Sequence, residues 1–178
     1  MRKLLLAAAA IAALGGAAAL WIALPPRVEQ LDAGLGEPVD PALIARGEYV
    51  ARLGDCVACH TGTGGKPMAG GLKLETPMGM IYSTNITPDA KTGIGGWTFG
   101  EFDRAMRKGV ARDGHNLYPA MPYPSYAKMT PEDMRALYAY LTKGLEPVEK
   151  VNLASRMSFP FNLRFGLSYS EPAANRTG

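Results

Sequence analysis

The sequence predicts an all-α domain of three to four helices, preceded by an N-terminal signal or anchor helix. Three stretches begin with a capping residue and continue with apolar residues at helical spacing. The chain between them is rich in glycine and turn residues. Its 178 residues suit one small domain with appendages. We predict a signal peptide or membrane anchor over 1–26, a tether over 27–40, a folded domain over 41–150 and a C-terminal tail over 151–178.

The N-terminus has the pattern of an export signal. Arg2 and Lys3 precede an uncharged apolar run over residues 4–24, and Pro25-Pro26 ends it. Small residues at 17–19 offer a cleavage site, but a run of this length is also about enough to span a bilayer. We slightly favour a retained anchor. In either case we expect the domain on the periplasmic side of a bacterial inner membrane.

Charge indicates no partner. The formal net charge is +3, from 19 basic and 16 acidic residues, and no basic run is present. Nucleic-acid binding therefore has no electrostatic support.

The first helix of the domain is predicted to start at Asp40 and Pro41, as capping residue and first helical residue. Apolar and small residues then repeat at helical spacing over 43–54. Gly47 lies on this face. Because glycine costs up to about 1 kcal/mol against alanine in a helix, its presence predicts close approach by another helix.

Two further helices have start and stop signals. Thr98 and Glu101 form a capping box for a helix that ends at Gly109. Thr130 caps the last helix, which closes at Gly144. Between the first helix and these two, residues 61–71 predict a loop, and weak alternation over 72–87 predicts a short extended pair.

The stretch over residues 55–60 carries the chemistry. Cys56, Cys59 and His60 form a C-x-x-C-H motif, which is typical of covalent c-type haem attachment. Two cysteines three residues apart can bond the two porphyrin vinyl groups, and the next imidazole can then bind the iron. The alternatives are a zinc site, a thioredoxin-like redox pair or a disulfide. Zinc would need two more soft ligands, and a thioredoxin-like motif should follow a strand.

A haem that carries electrons needs a second axial ligand besides His60. Met121 is the leading candidate, because it lies in a loop stiffened by Pro119, Pro122 and Pro124. His115 is the alternative ligand. The other candidates considered are Met68, Met78, Met80, Met106, Met129, Met134 and Met157.

Other residues are predicted around the haem. Trp97, Tyr82 and Arg112 are candidates for contact with the haem or its propionates. A backbone carbonyl should orient the free nitrogen of His60, and Pro67 or Pro77 marks a loop that could supply it. Asn85 and Thr87 are expected to make turns, with hydrogen bonds to the loop backbone or to a propionate as the alternative.

Six short motifs form one pattern when they are taken together. They lie at 47–49, 54–61, 70–71, 82–88, 93–97 and 117–123. They resemble the first haem domain of the multi-haem cytochrome c subunits of periplasmic dehydrogenases for alcohols, gluconate, sorbitol or aldehydes. The resemblance covers residues 45–151 and implies a class I cytochrome c fold. It also implies that Cys56 and Cys59 are the thioether donors and that His60 and Met121 are the axial ligands. Such subunits typically carry three haem motifs, whereas this sequence has one, so we expect one haem c.

The expected function is electron transfer from a periplasmic dehydrogenase to quinone, another cytochrome or an oxidase. The alternative is a peroxidase-like haem enzyme or sensor with an open sixth coordination site, which would need Met121 off the iron. Alternating apolar residues at 159, 161, 163, 165 and 167 suggest that the tail could lie on another protein as a strand, with a solvated tail as the competing hypothesis.

Overall fold

The computed structural model of the protein describes residues 14–16, 35 and 38–163. Most of the predicted signal or anchor and of the tether, and the tail beyond 163, lie outside the described residues. Within the described ranges, no helix has both the length and the apolar character needed to cross a membrane.

Five helices and one small sheet make up the domain. The helices are α1 (Pro41–Leu53), α2 (Cys56–Cys59), α3 (Phe99–Lys108), α4 (Tyr123–Tyr126) and α5 (Pro131–Lys143). The strands are β1 (Lys73–Thr76), β2 (Gly79–Tyr82) and β3 (Arg156–Met157).

The three long helices begin where the capping signals predict. The Asp40 side chain accepts from the Ala42 N–H, and Thr130 accepts from the Asp133 N–H. At α3 both bonds of the Thr98–Glu101 capping box are present. These bonds satisfy N–H groups that have no partner within the helix.

Helices α1 and α5 cross at Gly47. A Cβ there would overlap the carbonyl of Ala136 and lie 2.7 Å from Cβ of Tyr140. The predicted close approach of the last helix is therefore confirmed. Buried residues of α1, α3 and α5, with Met68 and Ile94, form one apolar core.

The all-α prediction is incomplete, because the structure contains a three-stranded antiparallel sheet in the order β1-β2-β3. The predicted extended pair corresponds to β1 and β2, in which Leu74 pairs with Ile81. Strand β3 pairs Met157 with Gly79 and is too short to leave an alternation in the sequence.

The chain stays on the domain beyond residue 150, where the tail was predicted to begin. The Ser158 N–H donates to the carbonyl of Met78, and the Tyr82 N–H donates to Oγ of Ser155. Phe159 and Phe161 follow, both exposed. The hydrogen bonds place residues 151–158 with the folded domain.

Candidate functional site

The C-x-x-C-H motif lies on α2, one tight turn after α1. Asp55 makes this turn with a left-handed φ of 52°, a conformation that aspartate tolerates better than most residues. Cys56 and Cys59 begin and end α2, and His60 is its C-terminal capping residue. The local fold therefore presents both thiols and the imidazole within one helical turn.

The two thiols lack the features of a zinc or redox site. Neither cysteine is in a disulfide. Burial raises the pKa of the Cys56 thiol to about 11, whereas redox-active thiols have lowered values. The motif follows a helix rather than a strand. Across residues 38–163, no three His, Cys, Asp or Glu side chains group as a metal site.

His60 is oriented by a backbone carbonyl, as the sequence predicted in general terms. Its Nδ1 lies 2.7 Å from the oxygen of Thr84. Since a carbonyl only accepts, Nδ1 carries the proton and Nε2 keeps its lone pair for a metal. Burial lowers the pKa of His60, and the Thr84 carbonyl opposes this shift. The carbonyl comes from Thr84 and not from the loops that Pro67 or Pro77 marked.

The motif opens into a cavity of about 530 Å³, within the size range of small-molecule sites, about 300–1,000 Å³. Apolar side chains from α3, α5, strand β2 and the loops form much of its lining, among them Ile81, Ile94, Phe102, Leu137 and Leu141. Cys56, Cys59 and His60 lie along it.

The candidates for a second axial ligand differ in whether they line the cavity. Met106, Met121 and His115 line it, whereas Met68 and Met134 are buried in the apolar core instead. Met106 is 9% exposed and lies on the buried face of α3. Met121 lies in the predicted proline-rich loop, just before α4.

Three hydrogen bonds, donated by Arg107 and Tyr126, hold the segment that follows Met121. Nη1 of Arg107 donates to the carbonyls of Ala127 at 2.8 Å and Met129 at 2.9 Å. The Tyr126 hydroxyl donates to the carbonyl of Gly54, which joins this loop to the turn before the C-x-x-C-H motif.

His115 lies in a tight turn between α3 and the Met121 loop. Its Nδ1 lies 2.5 Å from a carboxylate oxygen of Asp113, and its side chain is 40% exposed. The Ala111 N–H donates to its carbonyl, which fixes the turn. His115 lines the cavity but also faces a shallow adjoining depression.

The structure brings most of the remaining site candidates together. Tyr82 and Trp97 line the cavity. Arg112 lies outside its lining, in the adjoining depression, where its Nε is 3.2 Å from Glu101. Arg112 is therefore next to the cavity but turned toward a carboxylate.

Sequence reasoning missed the residues that hold the Thr84 carbonyl. Asn85 and Thr87 were expected to make turns, and they do bond each other, but they are also 2% and 1% exposed. Their further partners are Thr92 and residues 148–152. No local signal in the sequence predicts these contacts with residues 148–152, because the bonded residues lie 61 to 67 positions apart.

The donor set fits a covalently attached haem. Two thiols can form thioethers, Nε2 of His60 is free to bind iron, and Met121 and His115 offer a second ligand on the same cavity. The largely apolar lining suits a porphyrin face.

Comparison with known proteins gives a family match and several relatives. The family described as Cytochrome c matches residues 44–144. The gluconate 2-dehydrogenase cytochrome c subunit of Pantoea cypripedii is 54% identical over 132 residues, 74% of this chain and 30% of that protein. The cytochrome c subunit of the quinone alcohol dehydrogenase of Gluconacetobacter polyoxogenes is 56% identical over 128 residues, 72% of this chain and 27% of that protein.

A diheme cytochrome c-type protein of Cereibacter sphaeroides is 37% identical over 171 residues, which cover 92% of this chain and 55% of that protein. The chain thus spans 30% or less of the length of the two dehydrogenase subunits. The resemblance predicted from the motifs is confirmed.

Proposed function

Since the chain belongs to the cytochrome c family, we propose that it carries electrons from a dehydrogenase to a downstream acceptor. The observation that carries the proposal is that Cys56, Cys59, His60 and Met121 line one cavity. In this function one haem c is attached through Cys56 and Cys59, with His60 and Met121 as axial ligands. When bound, the haem iron supplies one-electron exchange between its ferric and ferrous states.

Each residue has a defined part in this function. The thiols of Cys56 and Cys59 fix the group covalently, and the Thr84 carbonyl holds the imidazole of His60 in the tautomer that binds metal. The thioether of Met121 favours a higher potential than a second imidazole would, which suits an electron acceptor. Bonds from Arg107 keep the Met121 loop in place without relying on the iron.

The dehydrogenase partner is supported by the relatives, which are named as cytochrome subunits of gluconate, alcohol and fructose dehydrogenases. We place the domain on the periplasmic side of the inner membrane because Arg2, Lys3 and the following apolar run form an export pattern. Purification of the full chain from membranes tests the partner: a dehydrogenase subunit should accompany it.

The ligand assignment is tested by substitution. Ferric protein should show the weak far-red absorbance band of a sulfur-to-iron bond, and Met121→Ala should abolish it. Met106→Leu is the matched control, because Met106 lines the same cavity and the band should survive its loss. Persistence of the band in Met121→Ala would contradict the assignment.

The peroxidase-like alternative makes a different prediction. An open sixth site would bind carbon monoxide rapidly in the reduced wild-type protein, whereas a Met121 ligand should slow that binding. Rapid binding in the wild type, unchanged in Met121→Ala, would favour the haem enzyme or sensor.

A further inference from the structure

The peptide group between Thr84 and Asn85 is hydrogen-bonded at both ends. Its carbonyl accepts from Nδ1 of His60 at 2.7 Å, and its N–H donates to Oδ1 of Asn152 at 2.6 Å. Hydrogen bonds in a chain polarise one another, so an acceptor at the N–H strengthens the carbonyl as an acceptor. Asn152 and His60 are therefore the two ends of one hydrogen-bonded chain.

Neighbouring backbone fixes the amide of Asn152. Its Nδ2 donates to the carbonyl of Thr92 at 3.0 Å, which leaves Oδ1 facing the Asn85 N–H. The Lys150 N–H donates to Oγ1 of Thr92 at 2.9 Å and ties down the same segment. The acceptor at the far end of the chain is thus held in one orientation.

The Asn85 side chain fixes the peptide plane from the other side. Its Nδ2 donates to the carbonyl of Val148 at 2.7 Å, and its Oδ1 accepts from the Thr87 N–H at 3.0 Å. Asn85 is 2% exposed, so rotation of this residue would strand buried polar groups at a cost of about 1–3 kcal/mol. The Thr84 carbonyl is consequently directed at His60.

We propose that Asn152 is a positioning residue for His60, acting through the Asn85 N–H and the Thr84 carbonyl. The proposal rests on the proposed function, in which Nε2 of His60 binds the iron. A stronger acceptor at Nδ1 makes the imidazole a more basic ligand and stabilises the ferric state. The segment over 148–158 then sets the reduction potential, although it lies beyond the predicted end of the domain.

Asn152→Leu in the haem-loaded full chain tests whether Asn152 positions His60. Leucine keeps the number of side-chain heavy atoms of asparagine and removes the acceptor of the Asn85 N–H. The equilibrium between ferric and ferrous forms should shift roughly threefold to tenfold toward ferrous protein, and tenfold corresponds to about 59 mV for one electron. NMR should show faster exchange of the His60 Nδ1 proton with D₂O.

Asn152→Asp is the conservative variant, because a carboxylate keeps an acceptor for the Asn85 N–H. Its potential should stay at or below the wild-type value. Because the charge of a carboxylate lowers the potential by itself, the readout that separates a positioning role from a structural one is exchange of the His60 Nδ1 proton, which aspartate should keep as slow as in the wild type. Thr76→Val removes a bond of the same kind, from the Met78 N–H to Oγ1 of Thr76, at a position outside the cavity lining, and should leave the potential near the wild-type value.

Three results would overturn the proposal. A wild type without a low-spin, His-ligated haem spectrum removes the proposed function and this inference together. A low-spin wild type whose potential is unchanged by Asn152→Leu removes this inference alone. If Asn152→Leu does not fold, fast exchange of the Nδ1 proton in the wild type, or a raised potential in Asn152→Asp, decides against it.

Discussion

Two parts of the cavity lining hold their iron-binding candidates by different means. The His60 wall, formed by His60 and residues 82–86, depends on one backbone carbonyl, that of Thr84, and on hydrogen bonds that fix its peptide group. The Met121 wall, residues 117–126, depends on prolines and packed tyrosines, and the Arg107 side chain donates to the carbonyls of Ala127 and Met129 just after it. The difference follows from the ligands. An imidazole has a second nitrogen that a hydrogen bond can hold, whereas a thioether accepts only weakly, so its loop must be stiff.

The His60 wall also depends on a close backbone contact at Gly70. Its φ is 67°, and a Cβ there would overlap the Thr84 carbonyl group and lie 2.6 Å from the Asn85 nitrogen. The Lys150 ammonium donates to the Gly70 carbonyl at 2.7 Å and leaves it little room to move. The wall is therefore sensitive to one added methyl group.

Of the substitutions considered for the two walls, Gly70→Ala should cause the largest loss of stability. Left-handed strain and backbone overlap together should lower the free energy of unfolding by roughly 2–5 kcal/mol, measured by urea denaturation of haem-loaded protein. The displaced Thr84 carbonyl should also release the Nδ1 proton of His60 to exchange. Gly64→Ala is the matched control, because Gly64 has a φ of 68° in the same loop but open space around it. Equal losses in both variants would mean that close approach to Thr84 does not matter.

The two walls also differ in how well sequence predicts them. Met121 could be singled out because three prolines around it are visible in the sequence. The helix starts at Asp40, Thr98 and Thr130 were equally accessible, since capping is local.

The Thr84 acceptor could not be predicted in this way. A backbone carbonyl has no residue signature, and its support comes from Asn152, 67 residues beyond Asn85 in the chain. Strand β3 was missed for a related reason, because it pairs with β2 across a long stretch of sequence. Local signals predict helices and stiff loops, whereas contacts between distant segments need the fold.

Arg107→Met should break the Met121 wall and leave the His60 wall intact. The variant loses bonds to the carbonyls of Ala127 and Met129 and leaves Asp103 without its partner, at a cost of roughly 2–3 kcal/mol. The far-red band should vanish at a lower temperature than in the wild type, while exchange of the His60 Nδ1 proton stays unchanged.

Arg52→Met is the control for Arg107→Met. Arg52 and Glu48 form an ion pair with the same spacing of four residues, but it is exposed on α1. Exposed pairs contribute little, so the far-red band should keep its thermal stability. An Arg107→Met variant that behaves like Arg52→Met would show that the Met121 loop is held by its prolines alone.

Alkaline pH should weaken the Met121 wall by a smaller amount. Burial raises the pKa of Tyr123 and of Tyr126 to about 12 from an ordinary 10.0. Between these values the unfolded chain has lost protons that the folded chain keeps, so stability is fully present below pH 10 and falls as pH rises toward 12.

Tyr126→Phe loses the bond to the Gly54 carbonyl, which costs about 1 kcal/mol at neutral pH. The difference in free energy of unfolding between Tyr126→Phe and the wild type should become smaller in urea titrations above pH 10. Thr142→Val is the control, because it loses a hydroxyl-to-carbonyl bond without a titratable group, and its loss of stability should stay constant with pH. A Tyr126→Phe deficit that is constant from neutral to alkaline pH would show that this hydroxyl contributes only its hydrogen bond.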